Sequence, residues 1–225
     1  MLLSYFPRAF QNKVFETTFK SFLDKEAAKG YKYFSDPREI ETWAIKYVDY
    51  FENLIYKKHN LLATDGEKRI ICSYEYYAGW GGGHINGYLR GFSTMHDPEY
   101  LNEKIRILDL ELLKFKLDQN LIAVRRIPSC HLIGKINGDE FIDDGYLSTS
   151  LNTSYRLDED SKHKLLFKDT VFIIKIPAET HAVFLEVEYI SKRDEYELLL
   201  PRSTRLKVEL IKTIGTNQII ITSIM

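Results

Sequence analysis

The sequence predicts an α+β fold, and two observations carry that reading. Up to Asn120 the apolar residues recur at helical spacing. After it they gather in short runs of branched residues separated by Gly, Asn, Asp or Pro. The two patterns are segregated along the chain rather than alternating, which argues against βαβ units. No internal repeat, low-complexity tract or long linker divides the sequence. One domain is therefore expected over residues 31–225, with residues 1–30 as an N-terminal helical extension.

Phe15, Phe19, Phe22 and Leu23 mark the first helix, and Gly30 is placed to end it. Asp36-Pro37-Arg38-Glu39 then supplies a cap, a proline suited to the first helical position and a capping-box glutamate. Ile40, Trp43, Tyr47 and Phe51 form the stripe this second helix would bury. Thr64 and Glu67 repeat the capping signal ahead of Ile70, Ile71, Tyr74 and Tyr77. Gly81-Gly82-Gly83 is expected to break the pattern before a short helix through Ile85, Tyr88 and Leu89. The last helix is expected from Asp97-Pro98, with Leu101, Ile105, Leu108, Leu112 and Phe115 on one face. Strands are expected at 121–125, 171–176, 183–187, 206–210 and 218–222.

Composition bounds the function. Of 225 residues, 44% are hydrophobic and 28% charged, as in ordinary globular proteins, and a chain of this length can bury a full core unaided. A formal net charge of −1 gives no basic surface for nucleic acid. No apolar run reaches the ~20 residues a membrane-spanning helix needs. Met1 to Arg8 show neither a basic n-region nor a sustained apolar h-region, so no secretory signal is expected there. Cys72 and Cys130 read as reduced, packed thiols. Six histidines and two cysteines show no ligand spacing, so no metal is expected, and His84 reads as a loop or cap residue.

Three segments could carry chemistry. Arg125-Arg126 ends the run Leu121-Ile122-Ala123-Val124, where a guanidinium beside an apolar wall can grip a pyrophosphate bidentately; a surface or ion-paired arginine would look the same. Gly145-Tyr146-Leu147-Ser148-Thr149-Ser150 puts small hydroxyl residues on a strand, as ordinary sheet edges also do. It is no nucleophile elbow, because Gly-x-Ser-x-Gly is missing. In Asp194-Glu195-Tyr196-Glu197-Leu198-Leu199-Leu200-Pro201, strand alternation would put Glu195 and Glu197 on one face, with Tyr196 pointing away. Neighbouring carboxylates push their pKa values apart, which suits different roles, although a solvated acidic edge has the same pattern.

Taken in order, arginine after a strand, Ser-Thr-Ser on a strand and Glu-x-Glu entering a strand resemble the arginine–serine–glutamate class of bacterial mono-ADP-ribosyltransferase toxins. Tyr76-Tyr77-Ala78-Gly79 and Ile85-Asn86-Gly87-Tyr88-Leu89-Arg90 are similar to the segment these enzymes use ahead of the catalytic sheet. Gly145 to Leu151, Glu197 to Arg202 and Gln218 to Thr222 resemble the Rho-modifying clostridial exoenzymes. The resemblance spans about residues 31–225 and implies two facing mixed or antiparallel sheets with the helices on the N-terminal side. It also implies NAD as substrate, with no metal. Arg125 would bind the NAD phosphates, with Arg90 assisting from the helical lobe and Arg126 and Thr149 beside them. Ser148 would hold the catalytic glutamate and shape the nicotinamide pocket. Glu197 would be that glutamate, and Glu195 would read the acceptor.

Cleaving the nicotinamide–ribose bond develops positive charge on the ribose, which a carboxylate in a dry site stabilises. An arginine acceptor is fully protonated and a poor nucleophile, and a second carboxylate can orient it and take its proton. Family members that modify asparagine carry glutamine where Glu195 stands. Glu195-Tyr196-Glu197 is instead similar to the catalytic components of binary toxins that modify actin, and these also carry the paired arginine seen at Arg125-Arg126. The resemblance thus implies an arginine of a host protein as acceptor, with actin the leading target and a Rho-type small GTPase the alternative. It further implies a monomer, secreted or delivered into a host cytosol, with a separate delivery component possible. The segment 152–170 is expected to close over nicotinamide, Tyr155, Arg156 and Phe167 supplying contacts. The polar, basic segment 189–194 is expected to recognise the target. An NAD glycohydrolase with the same residues, or a non-catalytic module of the same fold, are the other readings.

Overall fold

The structure, a computed structural model, describes residues 8–92, 97–127, 137–154, 170–185, 196–215 and 217–225. The described helices are α1 (Arg8–Ala27), α2 (Pro37–His59), α3 (Asp65–Tyr76), α4 (Gly82–Leu89) and α5 (Pro98–Leu112), with a π-turn, Tyr77–Gly81, joining α3 to α4. The strands follow: β1 (Leu121–Ile127), β2 (Glu140–Ser150), β3 (Thr170–Ile176), β4 (Val183–Phe184), β5 (Glu197–Ile214) and β6 (Asn217–Ile224). Helices before strands is the order the sequence predicts.

Local chemistry explains the helix boundaries. Thr64 and Glu67 form a complete capping box at α3, each side chain bonded to the other residue's backbone N–H. At α2 the box is not made. Asp36 instead accepts from the Arg38 N–H at 3.0 Å and pairs with the Arg38 guanidinium. The first helix ends at Ala27, and Gly30 follows with φ 91, a conformation that suits glycine. The three glycines do not break the helical path. The kink lies earlier, at Gly79 (φ −83, ψ −137), while Gly82 and Gly83 open α4. Gly81 and Gly82 lie close against Tyr76 and Tyr77, where a Cβ would clash with a ring and with backbone carbonyls. His84 accordingly lies inside α4, hydrogen-bonded to the Tyr76 hydroxyl, rather than in a loop.

The strands form one hydrogen-bonded set in the order β2-β1-β3-β6-β5-β4, and β2 also pairs with β5. Only β3 and β6 run parallel; the other pairs are antiparallel. The two sheet portions are therefore joined through β2 and β5. The strand expected to follow the Glu-x-Glu segment and the one expected at 206–210 are a single strand, β5, from Glu197 to Ile214. β5 passes through Pro201 and bends at Ser203 (φ 59), with the Thr204 hydroxyl bonded to the Pro201 carbonyl. β4 ends at Phe184, sooner than expected.

Alternation sorts β1 and β3 onto two cores. Leu121, Ala123, Phe172, Ile174 and Ile176 face the cluster under α2 to α5, which includes Ile40, Tyr47, Phe51, Tyr74 and Leu108. Ile122, Val124, Val171 and Ile173 face a second cluster with Phe15, Phe19 and Leu23 of α1. Cys72 is exposed on α3, between buried Ile71 and Ser73, so it is not the packed thiol the sequence suggested. Cys130 lies outside the described residues.

Candidate active site

The expected phosphate-binding arginines come from different lobes. Arg125 follows the buried run 121–124 on β1, and Arg90 is the C-terminal cap of α4. They meet at Asp143 on β2. Arg90 donates to both Asp143 carboxylate oxygens, from Nε at 2.8 Å and Nη2 at 2.9 Å, and Arg125 Nη1 lies 3.6 Å from the same carboxylate. Burial and the Arg90 charge push the Arg125 pKa down, against the pull of Asp143, Tyr77 and Glu197; it ends below its ordinary value. Arg125 Nη1 is buried and has no hydrogen-bond partner among the described residues. A buried cationic donor in that state suits an incoming anion, so the pair fits a diphosphate group.

The hydroxyl segment and the glutamate meet on adjacent strands. β2 and β5 pair with Ser150 opposite Glu197, Thr149 opposite Leu198 and Ser148 opposite Leu199. Cross-strand partners share a face, so Ser148 is the diagonal neighbour of Glu197, and Ser150 is its direct partner. The Thr149 hydroxyl turns the other way and donates to the Leu198 carbonyl at 2.8 Å, within the sheet. Ser150 is also the register partner of Val124, beside Arg125. β2 thus brings the hydroxyls to both the arginine and the glutamate.

Glu197 is buried at 8% exposure, and its carbonyl accepts from the Leu185 N–H at 2.9 Å. The residue before it, Tyr196, has φ 49 and precedes the first residue of β5. Strand alternation therefore does not run back through Tyr196, because a left-handed residue interrupts the pleat. Glu195 itself lies outside the described residues, as do Tyr155, Arg156, Phe167 and the segment 189–194. Arg126 sits at register opposite Val171, the neighbouring position on β1, and is half-buried.

Three contributors were not singled out as site residues in the sequence. Asp143 is one. Tyr77 is the second: burial and the Glu197 charge raise its pKa, while a 3.1 Å hydrogen bond from Asn86 and the charges of Arg125 and Arg90 oppose the rise. Tyr77 also packs edge-on against Tyr146 of β2, ring centroids 5.6 Å apart. Asn86 is the third. Its side chain also accepts the Tyr146 N–H at 2.7 Å, tying α4 to β2. Gly145 makes this approach possible, since a Cβ there would stand 2.6 Å from the Asn86 carbonyl oxygen and 2.9 Å from the Arg90 guanidinium. Among the described residues, no group of three or more His, Cys, Asp or Glu is placed to hold a metal ion.

In this α+β fold an arginine pair, strand hydroxyls and a buried glutamate are brought to one region of the sheet. Residues 41–225 match the ADP-ribosyltransferase exoenzyme family, and the chain belongs to that family. It is a toxin-type mono-ADP-ribosyltransferase, and NAD is its substrate. Solved structures share the fold. The Clostridium limosum C3 exoenzyme is 17% identical, with a TM-score of 0.67, over 88% of this chain and 98% of that one. C3stau2 from Staphylococcus aureus, solved with NAD, is 17% identical, with a TM-score of 0.64, over 87% and 99%. The enzymatic component C2-I of the Clostridium botulinum C2 toxin is 19% identical, with a TM-score of 0.58, over 82% of this chain and 48% of that one. Comparison with curated proteins gives no match. No described helix is long and apolar enough to cross a membrane.

Proposed function

We propose that this enzyme transfers ADP-ribose from NAD to an arginine of a host protein, with actin the leading target. The observation that supports the chemistry is that β2 pairs Ser150 with both Glu197 and Val124, next to Arg125, while Asp143 of the same strand joins Arg125 to Arg90. Arg125 and Arg90 hold the diphosphate; Arg126 alternates onto the other face of β1, with Ile122 and Val124. Glu197 stabilises the positive charge on the ribose as nicotinamide departs with the bonding electron pair. Ser148 supports that carboxylate from the diagonal position on β2, and Thr149 keeps the two strands in register. Glu195 orients the acceptor guanidinium and takes its proton as the new N–C bond forms. Arginine as acceptor rests on Glu195-Tyr196-Glu197, where relatives that modify asparagine have glutamine.

A Rho-type GTPase is the second reading of the target. What favours it is that the match with the C3 exoenzyme spans nearly all of that chain, whereas only about half of C2-I is matched.

Incubation with labelled NAD and a eukaryotic lysate tests both. The expected result is one labelled band at the mass of actin, labile to neutral hydroxylamine and lost in Glu197→Gln and Glu195→Gln, with Glu195→Gln still releasing nicotinamide. A band at the mass of a small GTPase moves the target to Rho. Nicotinamide release with no band in any lysate makes the chain a glycohydrolase, and neither signal leaves a non-catalytic module.

A further inference from the structure

Two guanidiniums this close repel each other, and the Arg90 charge indeed acts on Arg125. Something must hold them together before an anion arrives. Asp143 occupies that place. Its carboxylate takes the Nε and Nη2 edge of Arg90 and stands 3.6 Å from Arg125 Nη1. The carboxylate is itself fixed. Asp143 Oδ1 accepts from the Gly145 N–H at 3.1 Å, and the β2–β5 register shifts between Asp143 and Tyr146, so the group projects from an irregularity in β2. Such an irregularity re-aims a side chain next to a site. The Asp143 side chain is 15% exposed and those of Arg90 and Arg125 about a quarter, so the interaction is only partly screened by solvent.

We propose that Asp143 is a positioning residue for the diphosphate grip, holding Arg90 and Arg125 as one preset anion cradle. Asp143 does not compete with the anion. A guanidinium has five N–H donors, and Asp143 engages one edge of Arg90; Arg125 Nη1 keeps its hydrogen-bonding capacity. Preset donors cost less to order when the ligand binds, so the benefit appears in NAD affinity and not in the chemical step.

The inference rests on NAD being held by Arg125 and Arg90, and the test separates the two. NAD binding by calorimetry and nicotinamide release are measured for the wild type, Arg125→Ala, Asp143→Asn, Arg90→Ala and the Arg90→Ala/Asp143→Asn double variant. Asp143→Asn keeps the shape and the acceptor for Gly145 but removes the charge. It should weaken NAD binding and raise KM by about tenfold, with kcat within about twofold. The double variant should lose little more than Arg90→Ala alone, because Asp143 acts mainly through that arginine. Wild-type binding that is lost in Arg125→Ala but unchanged in Asp143→Asn overturns the inference and leaves the NAD reading standing. A lower KM in Asp143→Asn would make the residue a competitor of the anion and overturn it as well. So would a fall in kcat that tracks a fall in melting temperature at constant KM, which would mark a purely structural role. If the wild type binds no NAD, the reading beneath the inference fails first.

Discussion

The two faces of β1 and β3 are both buried, yet they bury different things. Leu121, Ala123, Phe172 and Ile174 pack under α2 to α5, on the side where α4 and its C-cap bring Asn86 and Arg90 to β2 and the preceding turn brings Tyr77. Ile122, Val124, Val171 and Ile173 pack under α1, where the buried charge is a closed cluster: Lys175 reaches Glu209 at 2.6 Å and Glu26 at 3.5 Å. On the first side the buried polar groups include a donor still without a partner. On the second, Lys175 has two carboxylates. The difference teaches where binding capacity is held: the α1 side is arranged for stability, and the α4 side keeps interactions in reserve for a ligand.

The strongest test of that contrast is Glu197→Gln. The substitution is isosteric and should leave the thermal midpoint in place while nicotinamide release falls by about 10³-fold or more, because the carboxylate acts on charge that develops in the transition state. NAD affinity should change far less. A matching loss of stability and activity would erase the distinction between the faces.

Phe15→Ala tests it from the other side. Phe15 is fully buried and stacks with Phe19, ring centroids 6.3 Å apart, under the α1 side of the sheet. Its removal should cost roughly 3–5 kcal/mol in denaturant unfolding. Activity per folded molecule should hold, since α1 contributes no site residue. If activity falls before stability does, the α1 face feeds the site after all.

Why the sequence discloses some of this and not the rest is a matter of periodicity. The helical stripes are legible because each helix buries one side: Ile40, Tyr47 and Phe51 are fully buried, as are Tyr74 and Leu108. The two faces of β3 are not legible, because all seven residues from Thr170 to Ile176 are buried and a run apolar on both sides has no period. β5 hides its length for another reason. Pro201 and Ser203 read as a strand end, but Pro201 is opposite no paired position between the Leu200 and Arg202 pairings with β2, and the chain bends there without leaving the sheet. In the site, Arg125, Ser148 and Glu197 are legible as a motif in order. Asp143 is not, since Asp-Asp-Gly reads as a turn and its value depends on Arg90, 53 residues away. Helical spacing marks Tyr77 as core, and it is core; that it also packs against Tyr146 of β2 appears only once the turn before α4 meets the sheet.

The smallest effect concerns the closed charge cluster, and it has a pH signature. Burial opposes the charge on Lys175, but the Glu209 hydrogen bond and the charges of Glu209, Glu26 and Tyr31 outweigh it, so its pKa is raised. A raised lysine contributes stability that is fully present below its unfolded value of ~10.4 and is lost as pH rises through the folded value above it. Lys175→Met should therefore cost roughly 2 kcal/mol at neutral pH, between the ranges for exposed and fully buried pairs, because Glu209 is partly exposed and buried Glu26 keeps Lys29 at 2.7 Å. The gap between wild type and Lys175→Met in urea unfolding should stay constant from pH 7 to pH 9 and narrow only above ~10.4. A gap that closes on the acid side instead would place the titrating group among the carboxylates, and Lys175 would no longer be what fastens α1 to the sheet.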